Sequence, residues 1–373
     1  TGKTALSILT FETENETKKK FLRLFQDAKF IGHAIKSVLR PPATDQAGQL
    51  LYEDSGHLIY ESGLGSFISD DGRIRSHLWP TTETGRCRSF RPNLQNLGSS
   101  REERYEEILG SDYLYPVKAC FKTSPGNVLV NFDYKQAELV VLAVLSNDQT
   151  MLGHVLRSKL NEDHPDYYDI HSSIAVKAFR LKCAPTKKGL KSIGRQSLRN
   201  AAKTVAFGIA YGRQAKAIAM ACRELGLRLT VEEAQRIIDT FLTTYSSLPS
   251  FFEQCRKRVT EPRWISSPFQ RYRRFPYTTD FQVLGELERQ AQNFPIQSAV
   301  ADIVNQCLHN LYWYRTDHDR PDLYKICLQI HDAVLLEVPV KHLKEVVEKV
   351  IPACSSSIPL YRCDLSGNRV QGA

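Results

Sequence analysis

Ile326-Cys327-Leu328-Gln329-Ile330-His331-Asp332-Ala333-Val334-Leu335-Leu336 consists of two apolar half-runs meeting at His331-Asp332, the pattern of two strands joined at a polar turn. Far upstream, Val128-Leu129-Val130-Asn131-Phe132 reads as another strand and is closed by Asp133. A lone Asp at a strand end ordinarily caps a turn. Two such carboxylates, gathered by a fold, can hold two hard divalent cations, which is the machinery of nucleotidyl transfer.

Bulk properties leave that reading open. The chain has 373 residues, enough for two or three domains, and 42% of them are hydrophobic, which suits a folded protein. A net charge of +9 favours a polyanionic partner without proving one. No apolar run approaches membrane-spanning length, so no membrane association is expected. The nine cysteines are scattered and form no C-x-x-C, which points to free thiols in a reducing, intracellular setting and away from zinc or a disulfide scaffold. The opening Thr1-Gly2-Lys3-Thr4 lacks a signal-peptide pattern, and the missing Met suggests a fragment or a processed chain. Gly2-Lys3-Thr4 is no phosphate loop, because no strand or first glycine precedes it.

Residues 4–40 are helical in pattern up to Pro41-Pro42, with Lys18-Lys19-Lys20 on a solvated face. A weakly patterned region follows, and residues 77–132 mix loops with short strands. Residues 150–260 are mainly helical around a basic stretch from Lys182 to Gly194. Residues 282–315 read as one long helix bent near Pro295, and a helix-strand unit follows the hairpin.

Within the helical region, Arg199, Lys203, Phe207 and Tyr211 recur every fourth residue. Each step drifts by about 40° around a helix, so the four share an arc of about 120°. Ala202, Val205, Ala206 and Ile209 fall on the other side and suit a core. Cations followed by aromatic rings suit a triphosphate with a stacked base.

Arg199-x3-Lys203-x3-Phe207-x3-Tyr211-Gly212 resembles the nucleotide-binding motif B of family A DNA polymerases, the relatives of bacterial DNA polymerase I. Asp133-Tyr134-Lys135-Gln136-Ala137-Glu138-Leu139 resembles their motif A, and Gln329-Ile330-His331-Asp332 their motif C. Thr84-Gly85-Arg86 with Arg91-Pro92-Asn93-Leu94-Gln95-Asn96 resembles the primer-template motif. Arg289-x3-Asn293-Phe294-Pro295-Ile296-Gln297 resembles the segment before motif C, and Asp169-Ile170-His171 matches a further position. The motifs stand in family order and cover residues 81–336.

The resemblance implies an α+β right-hand fold with an antiparallel-sheet palm: residues 1–75 a reduced helical thumb, 76–150 and 282–373 the palm, and 151–281 helical fingers. It implies template-directed addition of dNTPs to a primer 3′-hydroxyl. Asp133, Asp332 and the Tyr134 carbonyl would hold two Mg²⁺ ions, with Mn²⁺ able to substitute. Arg199, Lys203 and His171 would contact the triphosphate, with Lys203 nearest the reacting phosphorus. Glu138 would be the steric gate against a ribose 2′-hydroxyl, beside Gln136 in the nucleotide site. Phe207 lacks a hydroxyl to replace a missing 3′-OH, so dideoxynucleotides are expected to be poor substrates, and Tyr211 would guard the templating position. Arg86, Asn93, Gln95, Arg289, Asn293 and Gln297 would check pair geometry through minor-groove acceptors, and His331 would approach the primer end. The implied partners are primer-template DNA and a dNTP. No proofreading or 5′-nuclease region is recognisable, and accessory domains are left to a longer parent chain.

The sequence also departs from the family. Ala333 stands where motif C usually continues with Glu, and Val140 where bacterial members often have Arg. Lys135 replaces a small residue and would either compete with Mg²⁺ or meet DNA phosphate. Ser298 replaces a usual Gly. The chain between Phe179 and Arg199 is longer than in bacterial members and carries Lys182, Lys187, Lys188, Lys191 and Arg195, a solvated loop or a template contact. Arg271, Arg273 and Arg274 form another basic group, expected on DNA backbone. The rival readings are a single-subunit RNA polymerase, against which Glu138 and Arg86 argue, and a binding protein that has lost catalysis. Copying an RNA template is a further possibility within the enzyme reading.

Overall fold

The structure, a computed structural model, describes residues 9–10, 13–38, 43–45, 47–54, 56, 63–97, 106–110, 117–224, 227, 229–356, 358–361 and 363–370. The expectations at Gly2-Lys3-Thr4 and Pro41-Pro42 lie outside these residues, as does part of the thumb segment. The chain divides into two compact units: Thr1–Thr82 with Cys87–Val128 and Gln329–His331, and Glu83–Arg86 with Leu129–Leu328 and Asp332–Ala373.

In the smaller unit, α1 spans Glu16–Val38, with Phe21 and Leu24 on its exposed surface. Strands β1 (His77–Trp79) and β2 (Arg88–Phe90) pair antiparallel, Leu78 opposite Ser89. The chain after β2 is held by the buried Gln95 amide. Its oxygen accepts from Ser89 N at 2.9 Å, and its nitrogen donates to the carbonyls of Cys87 at 3.0 Å and Gln329 at 3.1 Å. Every group of that amide works inside the protein, as burial demands.

The larger unit carries most residues of the three-stranded sheet and most of the described helices. Strands β3 (Asn127–Asp133), β6 (Lys325–Ile330) and β7 (Ala333–Pro339) form a three-stranded sheet in the order β3-β7-β6. β6 and β7 are joined by His331-Asp332, with His331 in the left-handed region at φ 56°. Helix α2 (Ala137–Ser146) follows β3 and buries Leu139, Leu142 and Ala143 completely.

α3 (Gln149–Arg157), α4 (Ile170–Phe179), α5 (Lys187–Ser192), α6 (Gln196–Ala210), α7 (Ala215–Glu224), α8 (Val231–Thr244) and α9 (Leu248–Lys257) build the helical region. The basic stretch expected as an interruption therefore contains a short helix of its own. A small antiparallel hairpin, β4 (Trp264–Ser266) with β5 (Tyr272–Arg274), precedes α10 (Phe281–Asp317). α10 has 37 residues and continues through Pro295, about 55 Å at 1.5 Å per residue. It runs along α2, α9 and α11 (Ile351–Ser356). The strand expected after this last helix is reduced to one bridge, Cys363 with Arg369.

The core explains the helical pattern read from sequence. Ala202, Val205, Ala206 and Ile209 on α6 are each at most 5% exposed, beside Ile174 of α4 and Ile237 of α8 in one apolar cluster. α6 stops at Gly212, where φ is 65°. Arg213 N bonds back to Gly208 O at 2.8 Å and Gly212 N to Ile209 O at 2.9 Å, the paired closure of a helix ended by a left-handed residue. A side chain at 212 would also come within 3.1 Å of Arg289 Cγ. Gly212 thus serves as a helix stop and a close approach to α10.

Candidate functional site

Three of the sequence motifs meet at Glu138. It stands in the first turn of α2, buried at 8% exposure. Arg86 Nη2 donates to Glu138 Oε1 at 2.8 Å and the Tyr211 hydroxyl donates to the same oxygen at 2.9 Å. Burial raises the Tyr211 pKa and the Glu138 charge raises it further, so the phenol stays a neutral donor. A buried carboxylate held by a cation and a phenol has its position fixed by residues from two distant parts of the chain.

The cationic face of α6 is organised by Asp169. This residue caps α4, accepting from Ser172 N at 3.2 Å and Ser172 Oγ at 2.8 Å, and it also takes Arg199 Nε at 2.8 Å. Burial acts to raise the Asp169 pKa, but the bonds from Arg199 and Ser172 outweigh it and hold the carboxyl below its ordinary value. Lys203 is exposed, its Nζ 5.9 Å from the centre of the Phe207 ring. His171 lies on the Phe207 side, ring centres 6.4 Å apart, and is 3% exposed. Burial lowers its pKa to about 4; the Arg199 and Lys203 charges add to that and Asp169 opposes it. His171 Nδ1 is buried without a hydrogen-bond partner among the described residues. The imidazole is thus neutral, with a buried polar atom left unsatisfied among the described residues.

The two acids of the opening pattern occupy neighbouring strands. Asp133 is the last residue of β3, and Asp332 directly precedes β7. Asp133 is exposed and Asp332 half-buried, and neither side chain has a hydrogen bond or ion pair among the described residues. The chain then turns sharply through Gln136, at φ 57°, into α2. The Tyr134 carbonyl accepts from Ala137 N at 3.3 Å and keeps a second lone pair, while the Tyr134 hydroxyl donates to Ser355 O at 3.1 Å. Lys135 takes neither expected direction. Its ammonium bonds Ser158 O at 2.9 Å, and Ser158 Oγ bonds Gln136 Oε1 at 2.8 Å, tying motif A to the end of α3.

Arg289, Asn293 and Gln297 stand four residues apart on α10. Arg289 pairs with Glu286 at 2.6 Å, and Asn293 and Gln297 are half-buried with no side-chain hydrogen bond among the described residues. In the smaller unit, Asn93 is exposed and its Oδ1 accepts from Gln95 N at 3.1 Å, whereas the Gln95 amide is occupied as described above. His331 is exposed at the hairpin tip.

The basic group at β5 has partners within the protein. Arg271 pairs with Asp302 at 2.5 Å, and Arg273 pairs with Glu83 and donates to Gln290 at 2.6 Å, so two of its three cations are engaged within the protein. Arg274 is exposed. Sequence reasoning missed Gln292, buried on α10, whose Nε2 holds Ile209 O at 2.7 Å near the end of α6. Its one visible signal was an amide flanked by apolar positions of a long helix.

The donor set at Asp133 and Asp332 fits Mg²⁺, which takes one or two carboxylates and completes its shell with water and phosphate oxygens. No helix among the described residues is long and apolar enough to cross a membrane.

Comparison with known proteins bears on the family and the fold. DNA polymerase I of Lactococcus lactis subsp. cremoris is 30% identical over 304 residues, 81% of this chain and 31% of that protein. DNA polymerase I A, chloroplastic/mitochondrial, of Arabidopsis thaliana is 28% identical over 320 residues, 78% of this chain and 27% of that protein. The chain therefore spans under a third of the length of these curated relatives. The solved POL domain of Pol1 from M. smegmatis, in complex with DNA primer-template and dNTP, matches with a TM-score of 0.63 at 25% identity, covering 80% of this chain and 47% of that one. The fold is thus the α+β fold of a family A polymerase domain. The sequence profile of this family matches residues 51–362, and the chain belongs to DNA polymerase family A.

Proposed function

We propose that this chain catalyses template-directed DNA synthesis, adding dNTPs to a primer 3′-hydroxyl. The observation that carries the reading is the contrast among its acids. Glu138 is locked by Arg86 and Tyr211, while Asp133 and Asp332 stand unpaired at adjoining strands. Asp133, Asp332 and the Tyr134 carbonyl would hold Mg²⁺, which when bound lowers the pKa of the primer hydroxyl and stabilises charge on the phosphates.

The remaining roles belong to the chain itself. Lys203 and Arg199 bind the triphosphate, and Asp169 orients the guanidinium. The primer 3′-hydroxyl gives its proton to water as the O3′–Pα bond forms and the bond from Pα to the bridging oxygen breaks, and pyrophosphate leaves, protonated in this reading by Lys203. Glu138 fills the space of a ribose 2′-hydroxyl, and Tyr211 holds it there. Asn293 and Gln297 offer amides to the minor groove, as do Arg86 and Asn93 within their own segments. Gln95 acts by holding its loop. In this reading residues 76–150 and 282–373 are palm, 151–281 are fingers that close on nucleotide, and 1–75 belong to the thumb. The M. smegmatis domain was solved with primer-template and dNTP, which supports the same partners here.

Primer extension with Mg²⁺, comparing dNTPs, NTPs and ddNTPs on DNA and RNA templates, tests the proposal. Extension with dNTPs, with weak use of NTPs and ddNTPs, is expected. Primer-independent synthesis from NTPs would make the chain an RNA polymerase, and inactivity with retained DNA binding would make it a binding protein.

A further inference from the structure

The charge of this chain is segregated. Residues 170–223 contain twelve Lys or Arg and no Asp or Glu, while the whole chain carries +9, so the remainder is net negative by three. The cations of α6 account for only part of this. Six of the others, Arg180, Lys182, Lys187, Lys188, Lys191 and Arg195, cluster in the longer segment ahead of it, and that segment is built. Leu190 is fully buried on the core, and Thr186 caps α5 by accepting from Gly189 N at 3.0 Å. Gly189 lies against Ala184 O so closely that a Cβ would approach to 2.2 Å, and Arg195 N returns to Leu190 O at 2.9 Å. α5 packs on α4 and α6. Its lysines project from this base: Lys182, Lys187, Lys191 and Arg195 are exposed and have no ion pair among the described residues, whereas Lys188 is taken by Asp163 at 3.0 Å. Lys187, Lys191 and Arg195 extend the four-residue spacing of Arg199 and Lys203 upstream, although Gly194, at φ 66°, breaks the helix between them.

We propose that residues 182–195 form a binding site for the phosphate backbone of single-stranded DNA. Like charges gathered on a rigid platform repel one another, and a polyanion whose charges recur along a strand relieves that repulsion. With no aromatic side chain between Lys182 and Arg195, the contact is electrostatic and independent of base sequence. That the strand is the template ahead of the primer end rests on the function proposed above; that the segment binds single-stranded DNA does not.

The test uses the triple variant Lys182→Ala/Lys187→Ala/Lys191→Ala and its Lys→Arg counterpart, with fluorescence anisotropy of labelled oligo-dT over a range of salt. The Ala triple should bind about tenfold more weakly at low salt, and its log–log salt slope should be shallower by about 2, at about 0.7 per lost single-strand phosphate contact. The Arg triple should bind like wild type. Failure of the wild-type chain to bind oligo-dT, or equal binding by the Ala triple, overturns the site. Single-nucleotide incorporation on templates with one-nucleotide and twenty-nucleotide overhangs then locates the strand. A rise in the apparent Kd for the long overhang alone supports the template, and equal losses on both overturn that placement. If the wild-type chain binds oligo-dT through these lysines yet extends no primer, the function falls and the site stands.

Discussion

Glu138 and the pair Asp133 and Asp332 are carboxylates of one sheet-and-helix junction treated in opposite ways. Glu138 is buried and spends its charge on Arg86 and Tyr211. Asp133 and Asp332 sit at strand ends, more open to solvent and unpaired among the described residues. Burial without partners would cost several kcal/mol, so the buried acid is a fixed shape-giving element. Asp133 and Asp332 keep lone pairs unengaged among the described residues. Position in the fold, and not residue type, separates the gate we propose from the metal ligands we propose.

The comparison breaks first at the open acids. Asp133→Asn or Asp332→Asn should reduce single-turnover extension by about 10²-fold or more, since each tenfold is about 1.4 kcal/mol and a lost transition-state electrostatic contact is worth about 3 kcal/mol or more. Neither change should move the denaturant midpoint by more than about 0.5 kcal/mol of stability. Glu138→Ala should reverse that balance, costing about 3 kcal/mol in urea unfolding because Arg86 loses its buried partner, and narrowing discrimination against NTPs in kcat/KM. A Glu138→Ala protein as stable as wild type contradicts the locked-gate description.

A smaller effect comes from His171. Its folded pKa of about 4 lies below the ordinary 6.5, so the unfolded chain binds the proton first. The wild-type protein should lose stability as pH falls from about 6.5 to about 4 and then level off, and His171→Gln should remove that slope. Nucleotide triphosphate should raise the His171 pKa, read by NMR of the imidazole. An unchanged value with saturating nucleotide would take His171 out of the phosphate site.

Local periodicity made part of this legible in the sequence. The buried face of α6 and the length of α10 follow from spacings of three and four residues, which depend on nothing outside the helix. The clasp on Glu138 was not legible, because its partners lie 52 and 73 positions away and the sequence gives no distance between them. Composition likewise hid the partners of Arg271 and Arg273. A run of arginines shows its charge in the sequence, and only the fold supplies Asp302 and Glu83 beside it. Lys135 was a choice between metal and DNA until Ser158 O took its ammonium. Gln95 carried a family motif, and its full set of backbone partners emerged only with the loop around it.

Mn²⁺ titration followed by electron paramagnetic resonance, on the chain with primer-template and a non-hydrolysable dNTP, tests the metal-binding pair most directly. Two bound ions are predicted for the wild-type chain, with loss of both high-affinity ions in the Asp133→Asn/Asp332→Asn double variant. Two ions bound by that variant with unchanged affinity would contradict the assignment.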